Sequence, residues 1–327
     1  MATTGATTPR RRISRAQRHE WAWGYGLVSI WVIGFLAFGL VPLASAVFIS
    51  LTSWDPVSGP FWQAHVVGLD NYNHMLFHDP RFWHSIGNSI YYAIGSVTVT
   101  NMVALPLAML LTQKIRGLSF FRTIFYLPAI LPAVAATLVL RLIFLPGTGA
   151  ISSVLTATGI QCDPNTITCT TIFNWFDDPN LTMPAVILMS AWAVGQPMLI
   201  YLAGLQGVDE TMYESAAIDG ASGWSCFRSI TLPLLTPTIF FNIVVGLIGA
   251  LQEFAKLLIY SGGLGSTGGP NDSLLTTLLY VYLDAFKYHY FGYATAMAFG
   301  LFVLILIFTL FNFLGQKRWV FYQEERG

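Results

Sequence analysis

The sequence predicts an all-α integral membrane protein with six transmembrane helices, and three observations lead there. Of its 327 residues 54% are hydrophobic and only 10% charged, against about 25% charged in soluble domains. Mean hydropathy is +0.60. Six stretches each supply the roughly 20 mostly apolar residues that a helix needs to cross a bilayer. Finally, the formal net charge is zero, yet the basic residues are placed unevenly along the chain.

Taken in order, residues 1–24 form a basic arm carrying Arg10, Arg11, Arg12, Arg15 and Arg18. It reads as a solvated, lipid-facing tail and carries no nucleic-acid signature. The spans fall at about 25–52, 86–112, 119–145, 182–206, 235–260 and 291–315, within one membrane domain over 25–315. A tail, 316–327, holds Lys317, Arg318 and Arg326. Ala44-Ser45-Ala46 has the form of a signal cleavage site, but the apolar run before it exceeds the roughly 7–15 residues of a signal core. The first span is therefore expected to stay uncleaved. Alternate threading puts twelve of the sixteen basic residues on one side, with Lys114, Arg116, Arg122 and Arg228 joining the two ends. The positive-inside rule makes that side the cytoplasm and places both termini there. Prolines at 42, 106, 128, 132 and 197 interrupt the spans. Neighbouring helices tolerate such breaks in lipid, and together they suit a transporter bundle better than a simple anchor.

The external segments are less regular. Residues 53–85 are polar and aromatic, with Gly68 and Asp79-Pro80 as turn signals and Trp54, Trp62, Tyr72, Phe82 and Trp83 suited to an interfacial belt. Cys162 and Cys169 lie in the next external loop with six residues between them. They are either free thiols or a small disulfide worth about 2–3 kcal/mol locally; Cys226 reads as an ordinary reduced residue. His74 and His78 have i, i+4 spacing, but no carboxylate-rich constellation accompanies them, so no metal site is assigned. The glycine-rich run 261–270 lacks the lysine of a P-loop, and no Gly-x-x-x-x-Gly-Lys-[Ser/Thr] occurs anywhere. It reads as a flexible external loop, and the chain holds no ATP-hydrolysing machinery of its own.

The loop of about 207–233, between spans four and five, carries the most chemistry. Asp209 is a good N-cap, Glu210 places a negative charge in the first turn, and Gly220 suits the C′ position. A helix of about ten residues between them spans roughly 15 Å. Met212, Tyr213, Ala216 and Ala217 form its apolar side, with Glu210 and Glu214 stacked on another. Interfacial amphipathic helices favour Lys and Arg, whereas this one carries Asp209, Glu210, Glu214 and Asp219. A protein surface is a better partner for it than an anionic leaflet. The spacing Glu214, Ala216, three residues, Gly220, nine residues, Ile230-x-Leu232-Pro233 resembles the EAA loop of ABC importer permeases, with Ser215 where that family usually has Ala.

Further similarities point to the MalF-like, sugar-type branch: Val67-Gly68-Leu69-Asp70-Asn71-Tyr72, then Asp79-Pro80-Arg81-Phe82-Trp83, and Gly268-Gly269-Pro270 after span five. The resemblance covers about residues 25–315 and implies the MalF/MetI-like permease fold. It implies a multi-pass subunit of a bacterial inner membrane that is not itself catalytic and needs no cofactor. ATP and Mg would sit on two partner ATPase subunits, coupled through Glu214, Ser215, Ala216, Gly220, Ile230, Leu232 and Pro233. A second homologous permease and an extracytoplasmic solute-binding protein complete the implied complex.

Polar side chains inside spans are costly and usually face a cavity or a partner. The densest set is Asn242, Gln252, Glu253 and Lys256, with Tyr260 beyond, and Trp192 and Gln196 on span four add a stacking platform and an amide. Gln252, Glu253, Lys256, Tyr260, Trp192 and Gln196 are accordingly the expected solute contacts, as the corresponding part of span five contacts sugar in the MalF-like branch. Glu253–Lys256 reads equally as a structural ion pair at a permease–permease interface. Scarce intramembrane bases favour a neutral sugar over glycerol phosphate or another anion. An ion-coupled carrier, the rival class, calls for mid-membrane carboxylates or broken helices, and only Glu253 points that way.

Overall fold

The computed structural model describes residues 15–113, 116–145, 149–157, 175–265 and 267–321. Cys162 and Cys169 lie outside the described residues. The first span comprises α1 (Arg15–Phe35), a π-turn (Leu36–Leu40) and α2 (Val41–Ser50). Pro42 cannot donate to the turn before it, and a π-turn ending two residues earlier absorbs the lost bond. Trp21, Trp23, Trp31 and Phe38 are exposed along this stretch, as expected of a surface solvated by lipid. Short helix α3 (Asp70–Phe77) is tied back to the end of α2 by Asn71, whose Nδ2 donates to the carbonyls of Ser50 and Thr52, each at 2.8 Å.

Helix α4 (Pro80–Leu110) runs 31 residues and starts six earlier than the apolar run from 86 suggests. Asp79 is its N-cap, accepting from the N–H of Arg81 at 2.9 Å and of Phe82 at 3.1 Å, and Pro80 takes the first turn. This is a helix start rather than a turn. Ala104 and Ala108, one turn apart and fully buried, let a neighbouring helix approach closely.

The expected third span divides into α5 (Leu118–Ile130) and α6 (Ala133–Ile143), bent by 101°. Pro132 excludes α-geometry at Leu131, which sits at φ −66°, ψ 140°. Helix α7 (Ala150–Ala157) follows. The fourth span comprises α8 (Pro179–Met189), a 3₁₀ turn and α9 (Gly195–Gln206), with a 50° bend. After α10 (Glu210–Ile218), the segment Gly223–Leu234 meets α11 (Thr236–Leu251) at 62°. Span five does not run unbroken to residue 260: the helix stops at Leu251 and resumes as α12 (Ala255–Tyr260). Helix α13 (Thr277–Tyr282) and a π-turn precede α14 (Phe291–Trp319).

Among the described residues, His19–Ser50, Pro80–Leu110 and Phe291–Trp319 are long and apolar enough to cross a membrane, and the count reaches six if each bent pair is one span. Helix α4 is central, packing against both α9 and α11. At Gly195 an added Cβ would lie 2.9 Å from the Phe125 carbonyl oxygen, so α9 meets α5 backbone to backbone.

Candidate functional site

The loop after α9 folds as its sequence dictates. Asp209 accepts from the Thr211 N–H at 2.9 Å, and this bonding holds its exposed carboxyl below the usual range. At the other end Gly220 has φ +75°, its N–H donates to the Ala217 carbonyl at 3.1 Å, and that of Ala221 to the Ala216 carbonyl at 2.9 Å. Those two bonds make a Schellman motif, which satisfies carbonyls that the helix end leaves open. Ser215 departs from the alanine of the pattern without adding a free hydroxyl, because its Oγ donates to the Thr211 carbonyl at 2.8 Å.

Helix α10 is anchored on one side only. Tyr213 and Ala216 are half-buried, while Glu214, Ser215 and Ala217 are exposed. Met212 and Ile218 are apolar yet also exposed, Ile218 to 87%, with Trp224 exposed nearby in sequence. The anchor is a hydrogen bond of 2.9 Å between Tyr213 Oη and Oγ1 of the buried Thr231. Thr231 closes a π-turn, Phe227–Thr231, two residues before Pro233, as Leu40 does before Pro42. Ile230, Leu232 and Pro233 are half-buried around it. The two halves of the spaced motif are thus one structural unit, joined by residues that the pattern leaves unspecified.

Deeper in the bundle, two cavities lie side by side. The first, about 190 Å³, is lined among others by Tyr92, Leu140, Trp192, Gln196, Lys256 and Tyr260. The second, about 330 Å³, is lined by Ser96, Thr100, Asn101, Asn242, Glu253 and Lys256 as well as Tyr92 and Gln196. Five of the six expected solute contacts therefore line one cavity or both. Gln252 lines neither and is exposed at the end of α11. Glu253 sits in the break between α11 and α12, where its Oε2 meets Lys256 Nζ at 2.7 Å and its Oε1 accepts from the Lys256 N–H at 3.3 Å. Tyr260 is buried and stacked on Phe176. The polar wall from α4 went unseen in the sequence: Tyr92, Ser96 and Thr100 follow at one-turn spacing and Asn101 adjoins them, but single hydroxyls and an amide in an apolar run carry no local signal.

Residues 166–320 match the family described as the binding-protein-dependent transport system inner membrane component. Probable ABC transporter permease protein YesP of Bacillus subtilis is 36% identical over 323 residues, covering 98% of this chain and 99% of the relative. The chain belongs to this family of ABC importer permeases. Lactose transport system permease protein LacF of Rhizobium radiobacter is 32% identical over 74% of the chain and 78% of its own length. A bacterial alginate ABC transporter, solved in complex with its alginate pentasaccharide-bound periplasmic protein, contains a chain of the same fold, with TM-score 0.74 and 22% identity over 92% of this chain and 96% of that one.

The permease also has a polar cluster at the head of α4. Asp79 Oδ2 accepts from Tyr280 Oη at 2.9 Å and from Tyr293 Oη. Arg81 donates to both oxygens of Asp272, at 2.7 and 2.8 Å, and to the Thr267 carbonyl at 2.7 Å. From Thr267 onward the glycine-rich loop is consequently pinned rather than flexible, with Gly268, Gly269, Asn271 and Asp272 all at positive φ. His74 and His78 stack on one another, and His74 meets the edge of Tyr293. Their place is in this packing.

Proposed function

We propose that the protein is the membrane-spanning subunit of an ATP-driven importer, and that the permease forms the translocation path for a carbohydrate with a second, related permease. The observation that carries the reading is the exposed, double-capped helix Glu210–Ile218, locked through Tyr213 to the π-turn that ends at Thr231. An exposed helix firmly tied to the bundle transmits force. Glu214, Ser215, Ala216 and Gly220 would meet the groove of an ATPase subunit, and Ile230, Leu232 and Pro233 would carry its movement into α11. ATP and Mg belong to two such subunits. In this reading each bent pair is one span, which gives six, and both termini lie in the cytoplasm of a bacterial cell. An extracytoplasmic binding protein would deliver solute to the opposite face; the alginate transporter was solved in complex with such a pentasaccharide-bound periplasmic protein.

Carbohydrate is supported from two directions. Relatives at 30–32% identity are named for lactose, multiple sugars and diacetylchitobiose. Independently, Tyr92, Trp192 and Tyr260 give the first cavity aromatic faces beside the amide of Gln196, a lining that suits a sugar ring and its hydroxyls. An ion-coupled carrier would draw on the break at Glu253, since broken helices build midplane ion sites. Lys256 already engages that carboxylate, so it offers no spare charge. Purification in mild detergent followed by mass spectrometry tests the assignment. Co-elution of an ATPase subunit and a second permease, lost on replacing Glu214 and Gly220 together, is the expected result; a homo-oligomer without any ATPase overturns it.

A further inference from the structure

The two cavities are arranged in series. Along α4 the first touches only Tyr92, whereas the second extends from Tyr92 through Ser96 and Thr100 to Asn101, nine residues toward the other end. Along α8 and α9 the first reaches back to Val186 and the second forward to Ile200. Tyr92, Ser190, Ala193, Gln196 and Lys256 line both, and so stand where one gives way to the other. Among the described residues, Lys256 is the only side chain with a formal charge that lines both, and Glu253 is the only other charged residue lining either.

The break in the helix makes this pairing specific. If α11 continued through residue 254, residues 253 and 256 would be ordinary i, i+3 neighbours with flexible heads. Instead Glu253 lies off the helix and grips Lys256 twice, at the ammonium by 2.7 Å and at the backbone N–H by 3.3 Å. Both side chains are partly accessible, Lys256 to 33% and Glu253 to 19%, so the pair faces the cavities rather than the packed interior. A bare ammonium at this position would attract carboxylates and phosphates. A bare carboxylate would repel them.

We infer that Glu253 neutralises Lys256 at the junction of the two cavities, and that this balance makes the path select uncharged solutes and disfavour anions. Glu253 is then a specificity residue acting through Lys256. The inference rests on the carbohydrate reading only for its choice of natural ligand, a neutral glycan as opposed to one bearing a uronate. An anionic solute would have to displace Glu253 from Lys256 and leave that carboxylate unpaired in a low-dielectric wall, which is unfavourable.

The test uses the assembled complex in lipid nanodiscs, with Cys162, Cys169 and Cys226 replaced by serine and Gln196→Cys as a reporter at the junction. Its reaction rates with anionic and cationic methanethiosulfonate reagents are compared. With the pair intact, the rate ratio should match that of an exposed reference thiol. Glu253→Gln keeps an acceptor for the Lys256 N–H but uncovers the ammonium, and should shift the ratio roughly fivefold toward the anionic reagent. Lys256→Gln should shift it the other way, and the double variant should restore it. A ratio unmoved by either single variant overturns the inference, and co-elution of the complex verifies that each variant has folded. Binding of a neutral oligosaccharide and of its uronate counterpart is then measured without binding protein on complexes that keep Gln196, the wild type and Glu253→Gln. The wild type should prefer the neutral glycan and Glu253→Gln should lose that preference; an unchanged preference also overturns the inference. If the ratio moves as expected but neither glycan binds any sample, the carbohydrate reading fails while the charge balance stands.

Discussion

Tyr213 and Thr231 are 18 residues apart, yet their hydrogen bond fastens the exposed helix to the bundle. Tyr213→Phe keeps the ring and removes the bond, which should cost about 1 kcal/mol. A lower melting temperature of the detergent-solubilised complex, with weaker ATP-driven uptake, would register it. At Gly220 the backbone is at φ +75° with open space around an added Cβ. Gly220→Val should therefore cost conformational strain alone, about 1–2 kcal/mol, and urea titration of helix content against wild type measures it. Gly292 is the harsher case: an added Cβ would lie 2.0 Å from the Thr52 carbonyl oxygen, and backbone cannot swing aside. Gly292→Ala should sharply reduce the yield of monodisperse protein in size-exclusion chromatography. The caps Asp209 and Gly220 were legible in the sequence because capping chemistry is local. Thr231 was not, since its importance comes from a partner that only the fold brings near.

At the scale of elements, hydropathy located the stretches that hold the long helices and the bent pairs, but it revealed neither the bends nor the short helices Ala150–Ala157 and Thr277–Tyr282. Leu131-Pro132 turns one pair through 101°, which the proline foreshadows, whereas the stop at Leu251 has no proline beneath it and Glu253 fills the gap. Asp79-Pro80, a turn signal in isolation, became a helix start because the fold supplies a continuous helix behind it. The π-turn Leu283–Lys287, between α12 and α14, carries a titratable carboxyl. Asp284 is buried there, and burial pushes its carboxyl up to about 7, with Asp79 adding to the rise and Arg81 opposing it. The folded protein thus holds a proton there that the unfolded chain releases at lower pH, near the ordinary carboxylate value of 3.8. Stability from this group is greatest in acid and declines as pH climbs through the interval toward 7. Melting temperatures between pH 5 and 8 should fall more steeply for wild type than for Asp284→Asn; parallel curves would contradict the assignment.

For the molecule as a whole, class and family were legible from composition, charge placement and one spaced motif. The cavities were only half legible. Asn242, Glu253, Lys256, Tyr260, Trp192 and Gln196 stood out as polar or aromatic residues in apolar runs, while Tyr92, Ser190 and Asn101 join them only because α4, α9 and α11 converge. The proposed work cycle links those cavities to α10 through Thr231 and α11, so force applied at the exposed helix must reach the wall that contains Glu253 and Lys256. One measurement tests that link most directly: ATP-driven uptake of labelled oligosaccharide into proteoliposomes holding the full complex and its binding protein, with ATP hydrolysis followed in the same vesicles. For the paired replacement Glu214→Ala and Gly220→Val, which should shed the ATPase subunits, uptake and vesicle-bound ATP hydrolysis should both fall to background. Uptake that survives this replacement, or that follows an ion gradient without ATP, would contradict the account.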